Sequence, residues 1–127
     1  MRLIIALILF IIIDAVFIYF STNHWKNQIR LIQNTNMKIN YYSAIMAYIL
    51  MYVGWYYFIY LPNNNKKSYD SKLLIDAFML GFIIYGIFEL TNKSLFNKWS
   101  WMSVLIDTIW GGIVLSATTL LTLKFIK

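Results

Sequence analysis

The sequence predicts an all-α integral membrane protein, a four-helix bundle with short loops, and three observations carry that prediction. Of the 127 residues, 61% are hydrophobic and 13% charged, about half the charged share of an ordinary soluble domain. A chain this short with so little polar surface cannot clothe a water-exposed sphere. Apolar runs then recur at about Leu3 to Phe20, Tyr41 to Leu61, Leu73 to Leu90 and Trp101 to Phe125, each near the roughly 20 residues a helix needs to cross about 30 Å of hydrocarbon. Finally, the eleven Lys and Arg flank these runs, with Lys124 at the end of the last, while four of the five acids, Asp14, Asp76, Glu89 and Asp107, lie inside them or at their edges. Ionised groups are costly in hydrocarbon, so acids kept there are candidates for function.

Taken in order, the first run follows Arg2 like a secretory signal core, yet no small-x-small cleavage site comes after it and Asp14 interrupts its end, so it reads as a retained span. The first connecting segment, Ser21 to Asn40, is long enough for a short helix of its own. Trp25, Ile29 and Ile32 share one face there, which fits an interfacial helix, an irregular loop being the other reading. The second span carries Tyr41, Tyr48, Tyr52, Trp55 and Tyr56 as an aromatic stripe, with Tyr57 and Tyr60 suited to an interfacial belt. A turn rich in Asn and Lys, Asn63 to Lys67, leads to Ser71 as the expected N-cap of the third span, and Asp76 sits in its first two turns, where the helix dipole favours an acid. Asp76 is therefore read as structural. The segment from Asn92 to Ser100 connects the last two spans. Its sequon, Asn92-Lys93-Ser94, abuts the membrane and is not expected to be glycosylated. All 127 residues form one transmembrane domain in this reading.

Four spans put both termini and the second loop on one side. Arg2, Lys66, Lys67, Lys72, Lys124 and Lys127 fall there, against Lys26, Arg30, Lys38, Lys93 and Lys98 opposite. The excess of one favours cytoplasmic termini. Depth says more than orientation. Asp14 is late in the first span, Glu89 closes the third and Asp107 is about two turns into the fourth. Because spans alternate in direction, the three acids should arrive in one half of the bilayer, as a proton relay, a cation site or a metal site requires. The plainer reading is that each is a protonated or hydrogen-bonded packing group. Helical spacing supplies neighbours: Gly81, Tyr85, Glu89 and Asn92 share a face, as do Asp107, Trp110, Gly111, Val114 and Thr118. Gly112 with Ser116, and Ser43 with Ala47, are small-residue pairs suited to close helix contact. Tyr48 and Tyr52 lie deep, where each hydroxyl needs a partner, and are candidates for a pocket wall or for packing.

The string Glu89-Leu90-Thr91-Asn92, Trp99 soon after it, Asp107-x-x-Trp110-Gly111 and an acid late in the first span together resemble a family of small four-span membrane proteins of unknown function from bacteria and some large viruses. The resemblance spans nearly the whole chain. It implies that Asp14, Glu89, Thr91, Asn92, Asp107, Trp110 and Gly111 are signature positions. Two positions depart from the family pattern: Glu89 stands where aspartate is usual, and Phe17 where tryptophan commonly follows the first acid by three residues.

The sequence thus favours a proton- or cation-linked transporter or channel working through Asp14, Glu89 and Asp107, with Tyr85, Thr91, Asn92, Trp110 and Gly111 in support. A membrane-embedded lipid-modifying enzyme and a structural or assembly protein are the alternatives, and no catalytic residue is assigned. A chain this small is expected to form a dimer or higher homo-oligomer to enclose a pathway. Its basic residues are spread one to three per connecting segment, which suits anionic headgroups of the bilayer and not nucleic acid. The lack of cysteine removes disulfides, thiolate metal sites and thiol nucleophiles, and His24 is the only histidine. Metal and cofactor remain unassigned.

Overall fold

A computed structural model describes residues 1–64 and 70–125, with side chains through Leu123. Among the described residues all regular structure is helical, and four helices are long and apolar enough to cross a membrane. These are α1 (Arg2–Gln33), α2 (Tyr41–Asn63), α3 (Ser71–Leu95) and α4 (Trp101–Phe125). Part of the expected second-loop turn, Asn65 to Lys67, and Lys127 lie outside the described residues.

The first connecting segment is helical as far as Gln33, but as a continuation of the first span and not as a separate interfacial helix or an irregular loop. α1 continues without a break for 32 residues, about 48 Å at 1.5 Å per residue against about 30 Å of hydrocarbon. Nothing between Phe20 and Gln33 breaks a helix, for there is neither Gly nor Pro. The Ser21 and Thr22 hydroxyls donate back to the Phe17 and Ile18 carbonyls, at 2.7 and 2.5 Å, and so remain within the helix. The stop comes at Asn34, which takes a left-handed φ of 60° and donates its N–H to the Arg30 carbonyl at 2.9 Å.

α2 starts at Asn40, whose side chain accepts the Ser43 N–H at 3.1 Å. A π-helical turn at Tyr56–Tyr60 interrupts it, Leu61 donating five residues back to the Tyr56 carbonyl. Pro62 explains that turn: its ring would meet the Phe58 carbonyl in a regular helix, and the wider turn relieves it. α3 is capped by Asp70 and not by Ser71. The Asp70 carboxylate accepts the Leu73 N–H at 2.8 Å, so Ser71 is the first helical residue. Asp76 pairs with Lys72 at 2.6 Å on the exposed flank of α3, in keeping with a structural role.

The helices pack unequally. A Cβ on Gly81 of α3 would lie 1.9 Å from the Gly111 carbonyl oxygen of α4, and one on Gly111 would lie 2.3 Å from the Tyr85 ring. The two backbones therefore touch. Gly112 is used within the chain as well, its missing Cβ leaving room for the Phe78 ring. α1 runs back along α4, with Ala6 and Phe10 in a core shared with Val114 and Leu115. At its start Arg2 donates to the Thr122 and Leu123 carbonyls, at 3.5 and 3.4 Å. α2 stands off on large side chains. Trp55 Nε1 donates to Thr119 Oγ1 at 2.9 Å, and the Tyr52 hydroxyl to the Leu3 carbonyl at 2.8 Å. Ile4, Ile8, Val16, Ile49, Ile83 and Ile109 face outward, as lipid-facing positions should.

Gly81→Ala and Gly111→Ala are expected to destabilise the protein by about 1–3 kcal/mol through overpacking. Gly54→Ala, with nothing within 4 Å of its added methyl, should be neutral or stabilise by up to about 1 kcal/mol. Thermal unfolding of the three variants in one detergent measures the contrast, and equal losses in all three would refute the close crossing.

Candidate functional site

On α1 the buried positions Ala6, Phe10 and Asp14 recur every four residues and aim one stripe into the bundle. Asp14 is 6% exposed, and both of its oxygens accept hydrogen bonds. The Tyr48 hydroxyl of α2 donates to Oδ2, and Trp110 Nε1 of α4 donates to Oδ1 at 2.9 Å. Each donor is in turn steadied by a ring from α1. Phe10, one turn before Asp14, meets Tyr48 edge to face at 5.7 Å, and Phe17, one turn after it, stacks on Trp110 at 4.4 Å. One carboxylate thus ties three helices together.

Glu89 is 1% exposed and belongs to the α3–α4 side of the site. Trp99 Nε1 donates to its Oε2 at 2.6 Å. The Asp107 carboxyl lies within hydrogen-bonding reach of Glu89 and in the electrostatic field of Asp14. The close approach of Gly81 to Gly111 makes this pairing reachable, since it draws α3 and α4 together one to two turns away. A hydrogen bond between two carboxyl groups requires a proton on one of them.

Asp14 and Asp107 line one cavity of about 590 Å³. Tyr48 and Tyr85 bring hydroxyls to it, while Phe10, Ala44, Met51 and Ile84 give it apolar walls. At its rim Leu50 of α2 is 73% exposed and Phe88 of α3 is 57% exposed. The mouth therefore opens sideways between α2 and α3, and the acids form the floor. Glu89 does not line this space and stands behind Asp107. Among the described residues no three His, Cys, Asp or Glu side chains are arranged to hold a metal ion.

A second polar knot fixes the connection that carries Trp99. Gln28, 3% exposed on the far extension of α1, donates to the Lys98 carbonyl at 2.9 Å and accepts from the Ser100 N–H at 3.0 Å and from Ser103 Oγ at 2.8 Å. His24 Nε2 lies 2.8 Å from the same Ser103 hydroxyl, and Ser100 Oγ accepts the Ser103 N–H at 3.0 Å, capping α4. Trp25 packs near Trp99, their rings 6.4 Å apart.

The structure brings Asp14, Glu89, Asp107, Tyr48, Tyr85 and Trp110 into one neighbourhood, with Gly111 beneath Tyr85 at the helix crossing. Other expected members lie elsewhere. Thr91 is exposed and donates to the Ile87 carbonyl of its own helix at 2.6 Å, and the Asn92 carbonyl closes α3 by accepting the Phe96 N–H at 2.8 Å. Tyr52 lines a small void beside Ala6 and Leu115, away from the acids. Its hydroxyl bonds backbone at Leu3, whereas that of Tyr48 bonds a carboxylate.

The family described as "Predicted membrane protein (DUF2177)" matches residues 1–124. The chain belongs to this family. With its four spans it is a multi-pass membrane protein. No curated protein and no solved structure matches it. Glu89 and Phe17 both fall in the site: Glu89 meets Trp99, and Phe17 stacks on Trp110.

Sequence reasoning did not assign Trp99, Phe10, Ile84, Phe88, Met51 or Gln28 to this region. The signal for Trp99 was its place in the string that follows Glu89. The apolar wall residues carry none, being ordinary in a span.

Tyr48→Phe and Trp110→Phe each remove one donor from Asp14 and should destabilise the bundle by about 1–3 kcal/mol. In an Asp14→Leu background both effects should vanish, as a double-mutant cycle in detergent would measure. Undiminished losses in that background would mean that the donors matter for packing alone.

Proposed function

We propose that this family member is a proton- or cation-linked transporter or channel in which Asp14, Asp107 and Glu89 exchange protons or hold the cation. The observation that carries the reading is the shared cavity of Asp14 and Asp107, with Glu89 in reach of Asp107 behind it. Three carboxyl groups so placed cannot all be ionised in a low-dielectric interior, so a cation arriving at the floor competes with a proton for the same oxygens. Release of a proton on binding, and its recapture on departure, couples the two species. A hydrogen bond between the Asp107 and Glu89 carboxyls holds one such proton, and Trp99 fixes Glu89 beside it.

A four-helix unit leaves the cavity open to the bilayer between α2 and α3. A chain this small needs further copies to enclose a pathway, so a homo-oligomer is part of this proposal, as are cytoplasmic termini. The lipid-modifying alternative would use the same sideways mouth, with the acids as acid and base.

Reconstituted in liposomes, the protein should dissipate an imposed pH gradient or carry a cation current. Asp107→Asn and Glu89→Gln should each reduce that flux by about tenfold or more, whereas Thr91→Ala should leave it unchanged. Full flux in both amide variants would overturn the proposal, and lipid turnover detected by mass spectrometry would turn it into the enzyme reading.

A further inference from the structure

The geometry points to a lipophilic organic cation as the cargo of this cavity, entering sideways from the bilayer between α2 and α3. This inference rests on the carboxylate-exchange reading and names its substrate class.

Size is the first argument. The cavity holds about 590 Å³, many times the roughly 30 Å³ share of one water molecule in the liquid and within the roughly 300–1,000 Å³ typical of small-molecule sites. A proton relay or a bare inorganic ion needs no such space. The position of the mouth is the second argument. Leu50 lies near the middle of α2, and Phe88 lies in α3 two residues before the end of its apolar run at Leu90, and both are exposed. An opening between them lies within the apolar lengths of two spans and so faces hydrocarbon. A small hydrated ion reaches such a mouth only at a large desolvation cost. A cation whose charge is spread over an apolar frame is already concentrated in the bilayer.

The lining is the third argument. Phe10, Tyr48, Tyr85 and Phe88 present rings that attract a desolvated cation. The acids at the floor supply two candidate countercharges, and among the described residues no Lys or Arg lines the space. An anionic or neutral apolar molecule would find the walls but lose the complementarity at the base. Asp14 keeps its Tyr48 and Trp110 donors from the side, so the cargo need not break them to approach the floor.

The test uses the full chain in detergent and in lipid nanodiscs, with tetraphenylphosphonium as probe and tetraphenylborate as its anionic counterpart of the same shape. Saturable tetraphenylphosphonium binding with proton release to the buffer is expected, and tetraphenylborate should not bind. Asp14→Asn and Asp107→Asn should weaken binding by about tenfold or more. Ala47→Phe provides a second route, because it fills the mouth from an exposed position and leaves both acids in place. It should abolish binding while helix content and elution volume stay those of the parent. The outward-facing Ile8→Phe should bind as the parent does.

Equal binding of the two probes, or binding indifferent to Ala47→Phe and to both amide variants, would overturn the inference. Acid-dependent flux of sodium or protons without tetraphenylphosphonium binding would also overturn it, and would leave the exchange reading standing. Binding in the cavity without proton release or flux would instead support the cargo class and sink the exchange reading.

Discussion

α3 and α4 touch backbone to backbone at Gly81 and Gly111, whereas α2 is held away from its neighbours by Tyr48, Tyr52 and Trp55, and the site lives in that difference. Inside a bilayer the helices gain little from burying apolar surface, because lipid is as apolar as leucine. Close approach and satisfied polar groups decide the arrangement. Two glycines let one helix pair close completely and bring Glu89 to Asp107. Three large aromatic side chains, each with its polar end bonded across the gap, keep α2 attached without closing the space in front of Asp14.

The same logic explains why the polar groups can stay inside. A lone carboxylate in hydrocarbon is expensive, but Asp14 meets an indole and a phenol, and Glu89 meets a second indole and a second carboxyl. Glutamate carries one methylene more than aspartate, and at position 89 it is the side chain that meets both Trp99 on the loop and Asp107 on α4. Phe17 gives Trp110 a stacking partner at 4.4 Å and brings no further N–H that would need an acceptor.

Much of this was legible in the residues. Four spans followed from run length, and the common depth of Asp14, Glu89 and Asp107 followed from the alternation of span direction. The faces holding Gly81 with Tyr85, and Asp107 with Trp110 and Gly111, followed from helical spacing. What could not be read depends on terms that periodicity does not carry. Asp70 caps α3 one residue before Ser71, a choice between two good caps that only backbone geometry makes. α1 continues through Ser21 to Gln33 because polar residues on a helix without breakers extend it past the membrane as readily as they begin a loop. Tyr48 and Tyr52 are one turn apart on one stripe, yet they find a carboxylate and a carbonyl, since α1 slopes past them. The walls of the cavity are Ala, Met, Ile and Phe, residues any span contains, and only the standoff of α2 makes them a lining.

The extension of α1 beyond the bilayer has a consequence for the site within it. Gln28, held in turn by the Ser103 hydroxyl, clamps the carbonyl of Lys98 and the N–H of Ser100, the residues on either side of Trp99. With its backbone held on both flanks, Trp99 is positioned beside Glu89, and displacing that backbone would break buried hydrogen bonds at Gln28, a group that would then be left unpaired at a cost of about 1–3 kcal/mol. A rearrangement of Glu89 and Asp107 would therefore occur beside a held backbone, while the opposite wall, α2, reaches across the cavity end through long side chains. Motion during any working cycle should then be concentrated in the stretch of α2 that lines the cavity, Ala44 to Met51, since the π-helical turn beyond it is packed in the core at Ile59.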